Sequence, residues 1–191
     1  DGKLGANRQI LIVPAAYGGT SIRQWLGEVG DIPLYSDMLL RVNTARGLPG
    51  SNRVVAFLWH QGEADVDMAP STYKQKLTAF FSNVRRDIMS PVMYPIVAGK
   101  FAPGWVQTGN TSAKVATEEK IAEAVATDTL GGIVSTAGLP GNAGDIIHFS
   151  AASQITLGSR YFNMWERLAA GGPSPSCTLS ATPSSITTGG S

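Results

Sequence analysis

The 191-residue sequence predicts a three-layer α/β/α sandwich on a mostly parallel sheet. Three observations predict it. Short β-branched and apolar runs recur along the chain, segments of helical periodicity separate them, and polar clusters rich in glycine follow directly on several runs. The runs at 9–13 (Gln-Ile-Leu-Ile-Val), 53–59 (Arg-Val-Val-Ala-Phe-Leu-Trp), 94–98 and 130–135 have the near-continuous apolar character of strands covered on both faces.

Between the second and third runs, Tyr73, Leu77, Phe80, Phe81, Val84 and Ile88 recur every three or four positions. That spacing predicts an amphipathic helix over 71–88, with Arg85 and Arg86 turned outward. Further helices are expected over 35–46, 117–126 and 151–169. Strand and helix then alternate, the order that right-handed crossovers and a parallel sheet require.

Composition narrows the function. Hydrophobic residues make up 43% of the chain and charged residues 15%, enough for one sizeable core. Fifteen basic residues against 14 acidic ones leave a formal charge of +1, so nothing electrostatic points to nucleic acid or an anionic membrane as a partner. No apolar run approaches the roughly 20 residues that span a bilayer, and the first residues do not read as a signal peptide. With two histidines and one cysteine, a structural zinc site is not expected, and neither glycine-rich phosphate-binding pattern occurs. No metal or cofactor is expected.

The domain is expected to span 1–170. The composition changes at 171–176 (Gly-Gly-Pro-Ser-Pro-Ser), which reads as a linker. Residues 177–191, beginning at Cys177, read either as the first strand of an immunoglobulin-like module or as a disordered tail. The module would imply export to an oxidising compartment.

In an open α/β sheet, ligands bind outside the carboxyl ends of the strands, so three loops carry the search for chemistry. In the first, around Gly18 and Gly19, paired glycines let backbone N–H groups approach developing negative charge, although a tight turn would demand glycine as well. In the second, the run 53–59 gives way at once to His60, Gln61, Gly62, Glu63, Ala64 and Asp65. Gln61 can offer an amide N–H as an oxyanion donor; Glu63 reads as an orienting acid or a capping one, and His60 as packing. In the third, Asp145 and His148 stand three apart, so that the carboxylate can hold the imidazole's tautomer and stabilise the imidazolium formed in acyl transfer. Alternatively, Asp145 forms a turn and Ser150 caps the following helix. Trp25, Trp59 and Trp105 lie near these loops as packing or as a platform for a sugar ring.

Three blocks in this order, Gly18-Gly19-Thr20-Ser21-Ile22 followed by Trp25, then Trp59-His60-Gln61-Gly62-Glu63, then Asp145-x-x-His148-Phe149-Ser150, resemble the SGNH (GDSL-like) hydrolase superfamily. The likeness is to its carbohydrate acetylesterase branch, which includes xylan and sialate O-acetylesterases. The resemblance covers roughly 8–168 and implies a serine esterase acting on a small-molecule or oligosaccharide acetyl ester. His148 would be its general base, Asp145 the partner of that base, Gly19 and Gln61 the oxyanion donors, and Gly18 and Glu63 supporting residues. The family's nucleophilic serine lies in a Gly-x-Ser-Asn-like turn after the first strand, and that turn does not occur here. Ser21 falls in a different block, so the serine and the strand before it are expected on an N-terminal segment outside this sequence. The rival readings are a non-catalytic carbohydrate-binding module on the same fold and a lipase or lysophospholipase.

Overall fold

A computed structural model describes residues 9–171. In chain order its elements are α1 (Ile22–Trp25), α2 (Leu34–Arg46), β1 (Phe57–Trp59), α3 (Pro70–Val84), β2 (Ile96–Gly99), α4 (Pro103–Val106), α5 (Thr111–Val125), β3 (Gly131–Val134), β4 (Gly141–Asn142), β5 (Asp145–Phe149) and α6 (Ala151–Ala169). Strands β1, β2 and β3 lie side by side and parallel, with Phe57 opposite Ile96 and Ile96 opposite Gly131.

Successive residues of a strand face opposite ways, and β2 shows what that does for the layers. Ile96 and Ala98 are buried with Tyr73, Leu77 and Phe80 of α3 and Ile121 of α5. Val97, between them, is buried with Leu157, Tyr161, Met164 and Leu168 of α6. The sheet is therefore covered on both faces, which is the predicted sandwich. Aromatic side chains fill much of the larger core: Phe80 lies 4.5 Å from Trp59 and 6.0 Å from Trp25 between ring centres. Both tryptophans pack in the interior rather than offering a face to a ligand.

Helix α3 starts at Pro70, whose fixed φ and missing N–H suit a first helical position. Its apolar stripe of Tyr73, Leu77, Phe80, Phe81 and Val84 is the one the spacing predicts. The last predicted turn is wound more widely, as a π-helical turn over Arg85–Met89. Helix α6 keeps its predicted limits. Ser150 caps it by accepting the Ser153 N–H at 3.2 Å. The predicted 117–126 helix is longer at its start, from Thr111; the 53–59 run keeps only Phe57–Trp59 as strand, the 94–98 run is shifted to Ile96–Gly99, and the 130–135 run loses one residue at each end.

Two expectations fail. Residues 9–13 do not form a strand. A run of β-branched residues becomes a strand only with a ladder partner, and among the described residues β1 bonds to β2 alone. Ile10, Leu11 and Ile12 are instead 67%, 56% and 80% exposed. Arg85 does not face outward either. Its guanidinium makes two 2.6 Å bonds to the Asp128 carboxylate and also donates to the Tyr94 carbonyl. Only Arg86 faces solvent.

The linker from residue 172 and the 177–191 segment with Cys177 lie outside the described residues. No described helix is long and apolar enough to cross a membrane.

The Arg85–Asp128 pair is nearly dry, with side chains 11% and 12% exposed. Removing one partner strands the other charge, so Asp128→Ala is expected to destabilise the protein by about 3 kcal/mol in urea unfolding. A loss below about 1 kcal/mol would show the pair to be solvated.

Candidate active site

The site is built where three loops meet at the carboxyl ends of β1 and β2. The joint between the first two is a single buried carboxylate. Asp65, 2% exposed, ends a short 3-10 turn, Glu63–Asp65, that follows β1. Its Oδ2 accepts the backbone N–H of Ile22 at 2.8 Å and the side-chain amide of Gln61 at 2.5 Å. The same Gln61 amide donates to the Thr20 carbonyl at 2.9 Å. Asp65 Oδ1 is buried with no hydrogen-bond partner among the described residues. Burial raises the Asp65 pKa, and the Gln61 and Ile22 bonds oppose the rise.

The turn between them tolerates no side chain at residue 62. Gly62 has φ +137°, and a Cβ there would lie 2.8 Å from the Tyr73 hydroxyl and 3.0 Å from the Phe101 ring. Thr20 completes the first loop. Its hydroxyl donates to the Tyr17 carbonyl at 2.8 Å and accepts the Trp25 indole N–H at 3.0 Å. Gly18 and Gly19 precede it at the surface, Gly19 with φ +70°. Ser21 stands at the N-cap of α1 and donates its backbone N–H to Gln24 Oε1 at 2.9 Å.

The third block lies on a hairpin strand rather than on the expected loop. Strand β5 pairs antiparallel with β4, with a shift in register between Gly141 and Asn142. In a regular strand, residues three apart face opposite ways. Here Asp145 instead folds back, and its carboxylate takes the His148 Nδ1–H at 2.6 Å. That bond, helped by the backbone N–H groups of His148 and Ile147, holds the Asp145 carboxyl below its ordinary pKa. The pair is open to water, with side-chain exposures of 73% for His148 and 45% for Asp145. His148 Nε2 has no partner among the described residues. Ser150 caps α6 as well, so the structure contains the dyad and the helix cap together.

The second and third blocks are joined through His60. Its ring packs edge-on against Phe149, 5.5 Å away, and its Nδ1 lies 3.0 Å from the Tyr161 hydroxyl. That hydroxyl gives its proton to the Trp59 carbonyl at 2.9 Å, so toward His60 it accepts, and His60 carries its proton on Nδ1. A Cβ at residue 99 would overlap both Tyr161 Oη and His60 Nδ1, so glycine is needed at the end of β2. Desolvation of the ring lowers the His60 pKa to about 4, although part of the residue is exposed at the surface, and the ring is neutral at pH 7. His60 is a packing histidine, as one reading of the sequence has it.

Burial raises the Glu63 pKa, while a backbone N–H and the charge of nearby His148 pull it down. The acid thus stands within the field of the dyad. Both N–H bonds of Gln61 are committed, to Thr20 and Asp65, so the amide serves here as a tie between loops. Sequence reading passed over Asp65 as a binder of loops and Tyr161 altogether. Asp65 is visible only as the residue four after Gln61, and Tyr161 only as one apolar position of α6.

A three-layer sandwich on a parallel sheet, with a carboxylate-held imidazole on the neighbouring hairpin, is consistent with the SGNH-like class of α/β hydrolases. The chain belongs to the carbohydrate esterase family described as sialic acid-specific acetylesterase, whose model matches residues 3–166. It is similar to a probable carbohydrate esterase of Arabidopsis thaliana, At4g34215, with 32% identity over 154 residues, 78% of this chain and 52% of the plant protein. The 1.6 Å crystal structure of the protein from that locus superposes with a TM-score of 0.59 at 26% identity, covering 80% of this chain and 57% of that one. The chain thus spans about half the length of the curated relative it matches.

Two outcomes follow from the joints. Asp65→Ala leaves the Ile22 N–H and one Gln61 N–H without acceptors, and a loss of about 2–4 kcal/mol is expected in urea unfolding; a change under about 0.5 kcal/mol would refute the joint. Because His60 resists protonation when folded and accepts it when unfolded, stability is expected to fall as pH drops from about 6.5 toward 4. The urea midpoint at pH 7 and pH 5 measures this. His60→Gln should flatten the change, and an equal slope in that variant would contradict it.

Proposed function

We propose that the protein is a serine esterase that removes O-acetyl groups from carbohydrate. The observation that carries this reading is the 2.6 Å bond between Asp145 and His148, which leaves Nε2 free at an open face. A serine hydroxyl at that nitrogen would lose its proton to Nε2 as its oxygen attacks the acetyl carbonyl. Asp145, already held anionic, would stabilise the imidazolium. The tetrahedral intermediate collapses as Nε2–H protonates the departing sugar oxygen, and water then releases acetate by the same proton path in reverse.

The oxyanion donors in this reading are the Gly19 N–H and the Gln61 amide, with Gly18 shaping the turn. For Gln61 to serve, it exchanges one of its two loop bonds for the oxyanion, which couples catalysis to the loop joint. Glu63 is assigned the supporting role of an acid whose field steadies the imidazolium.

The serine is proposed to come from an N-terminal segment outside these 191 residues, adding as a strand along the free edge of β1. In support, β1 is paired on one side only among the described residues. Leu58 of β1 is 57% exposed, and Val55, just before the strand, is 40% exposed. Acetylated xylan and acetylated sialate are both substrates that the family relationship suggests. Export from the cell is proposed with the module reading of 177–191.

In the complete protein, His148→Ala is expected to abolish acetate release from a chromogenic acetate or acetylated xylan while His60→Ala retains it; equal activities would overturn the assignment. Gln61→Ala is expected to lower kcat on the order of 10²-fold with little change in KM, because the donor serves charge present only in the transition state. An unchanged kcat would leave Gln61 as a loop tie alone.

A further inference from the structure

A second cluster of polar groups lies at the carboxyl ends of β2 and β3, the edge at which open α/β sheets take their ligands. A cleft of about 190 Å³ opens there among Lys100, Phe101, Gln107, Glu118, Ser135 and Thr136. It is smaller than the roughly 300–1,000 Å³ typical of drug-sized ligands, a size for one sugar unit. The helix α4, which supplies part of its wall, packs against β5, the strand of the dyad.

The cleft is built rather than incidental. Glu118 is only 9% exposed, and its Oε1 accepts the Phe101 N–H at 2.8 Å. Its other oxygen bonds to nothing among the described residues and keeps contact with solvent, so it is open to a hydroxyl donor entering the cleft. The Thr136 hydroxyl donates to the Phe101 carbonyl at 2.6 Å, and Arg160 fixes the facing loop through the Ser135 and Ala137 carbonyls at 2.8 and 2.9 Å. Burial raises the Glu118 pKa and the Lys100 charge lowers it, so the ammonium acts within the same space. The Lys100 ammonium has no hydrogen-bond or ion-pair partner among the described residues.

We propose that this cleft binds one uncharged sugar unit of the substrate, with ring hydroxyls donating to Glu118 and accepting from Lys100 and the Gln107 amide. This rests on the carbohydrate esterase reading and narrows it. Acceptor and donor side by side fit a pair of neighbouring hydroxyls, each of which both donates and accepts. A sialate fits poorly. Its carboxylate would meet Glu118, and like charges brought together in a partly dry site cost more than Lys100 returns. The cleft therefore selects neutral, xylose-like units over acidic ones.

The test reads binding without turnover, by NMR titration of the full 191-residue chain with xylobiose and with N-acetylneuraminic acid. Xylobiose is expected to bind at least about 10-fold more tightly. Glu118→Gln is expected to weaken xylobiose by about 10-fold, the effect of losing one charged hydrogen bond. Gln107→Ala, at the exposed rim and outside the packed core, should weaken it by a smaller factor with the melting temperature unchanged. The proposal is overturned if xylobiose does not bind, if N-acetylneuraminic acid binds as well or better, or if both variants keep the xylobiose affinity of the parent. Xylobiose binding in a complete protein that releases no acetate would refute the esterase reading and leave the cleft standing. Acetate release with xylobiose affinity unchanged in both variants would refute the cleft alone.

Discussion

The candidate site depends on one buried carboxylate that is bonded on one side only. Asp65 gathers the Ile22 N–H and the Gln61 amide onto a single oxygen and leaves the other dry and unmatched. A group so placed is expensive, and the cost is met by what it organises. The glycine loop before α1 and the turn after β1 are 43 residues apart in sequence, and this bond fixes the distance between them. Gly62, hemmed in by Tyr73 and Phe101, lets the chain turn tightly enough for Gln61 and Asp65 to reach the same loop.

The other half of the site is held differently. Asp145 and His148 sit on a two-stranded hairpin open to solvent, where the bond between them does not gain from a dry environment. Their anchorage comes from neighbours. Phe149 packs on His60, and Tyr161 of α6 bonds to both the Trp59 carbonyl and His60. The neutral histidine thus works as a spacer between the sheet and the hairpin. Packing separates two chemically identical side chains: the His60 ring meets Phe149 and Tyr161, whereas His148 Nε2 meets no partner among the described residues.

Local signals made much of this legible in the sequence. The stripe of α3 and the limits of α6 follow from spacing and from the Ser150 cap, both of which are properties of neighbouring residues. The three site blocks were visible as sudden polarity at the ends of apolar runs. What escaped depends on partners far along the chain. Residues 9–13 have a strand's composition, yet pairing needs an edge that the described residues do not bring to them. Arg85 sits where the helical pattern turns outward, but Asp128, 43 positions on, draws it inward. Asp65 looked like one more acid in a polar turn, because its bond to the Ile22 backbone leaves no mark in residue type.

The one-sided pairing of β1 has a consequence for handling as well as for chemistry. The side of β1 that faces away from β2 has no strand partner among the described residues, and such an edge can pair with an extended peptide, including another molecule of the same protein. Only three residues long, the strand gives such contacts little hold on its own. Solubility therefore depends on how briefly and how weakly that short edge can hold another copy.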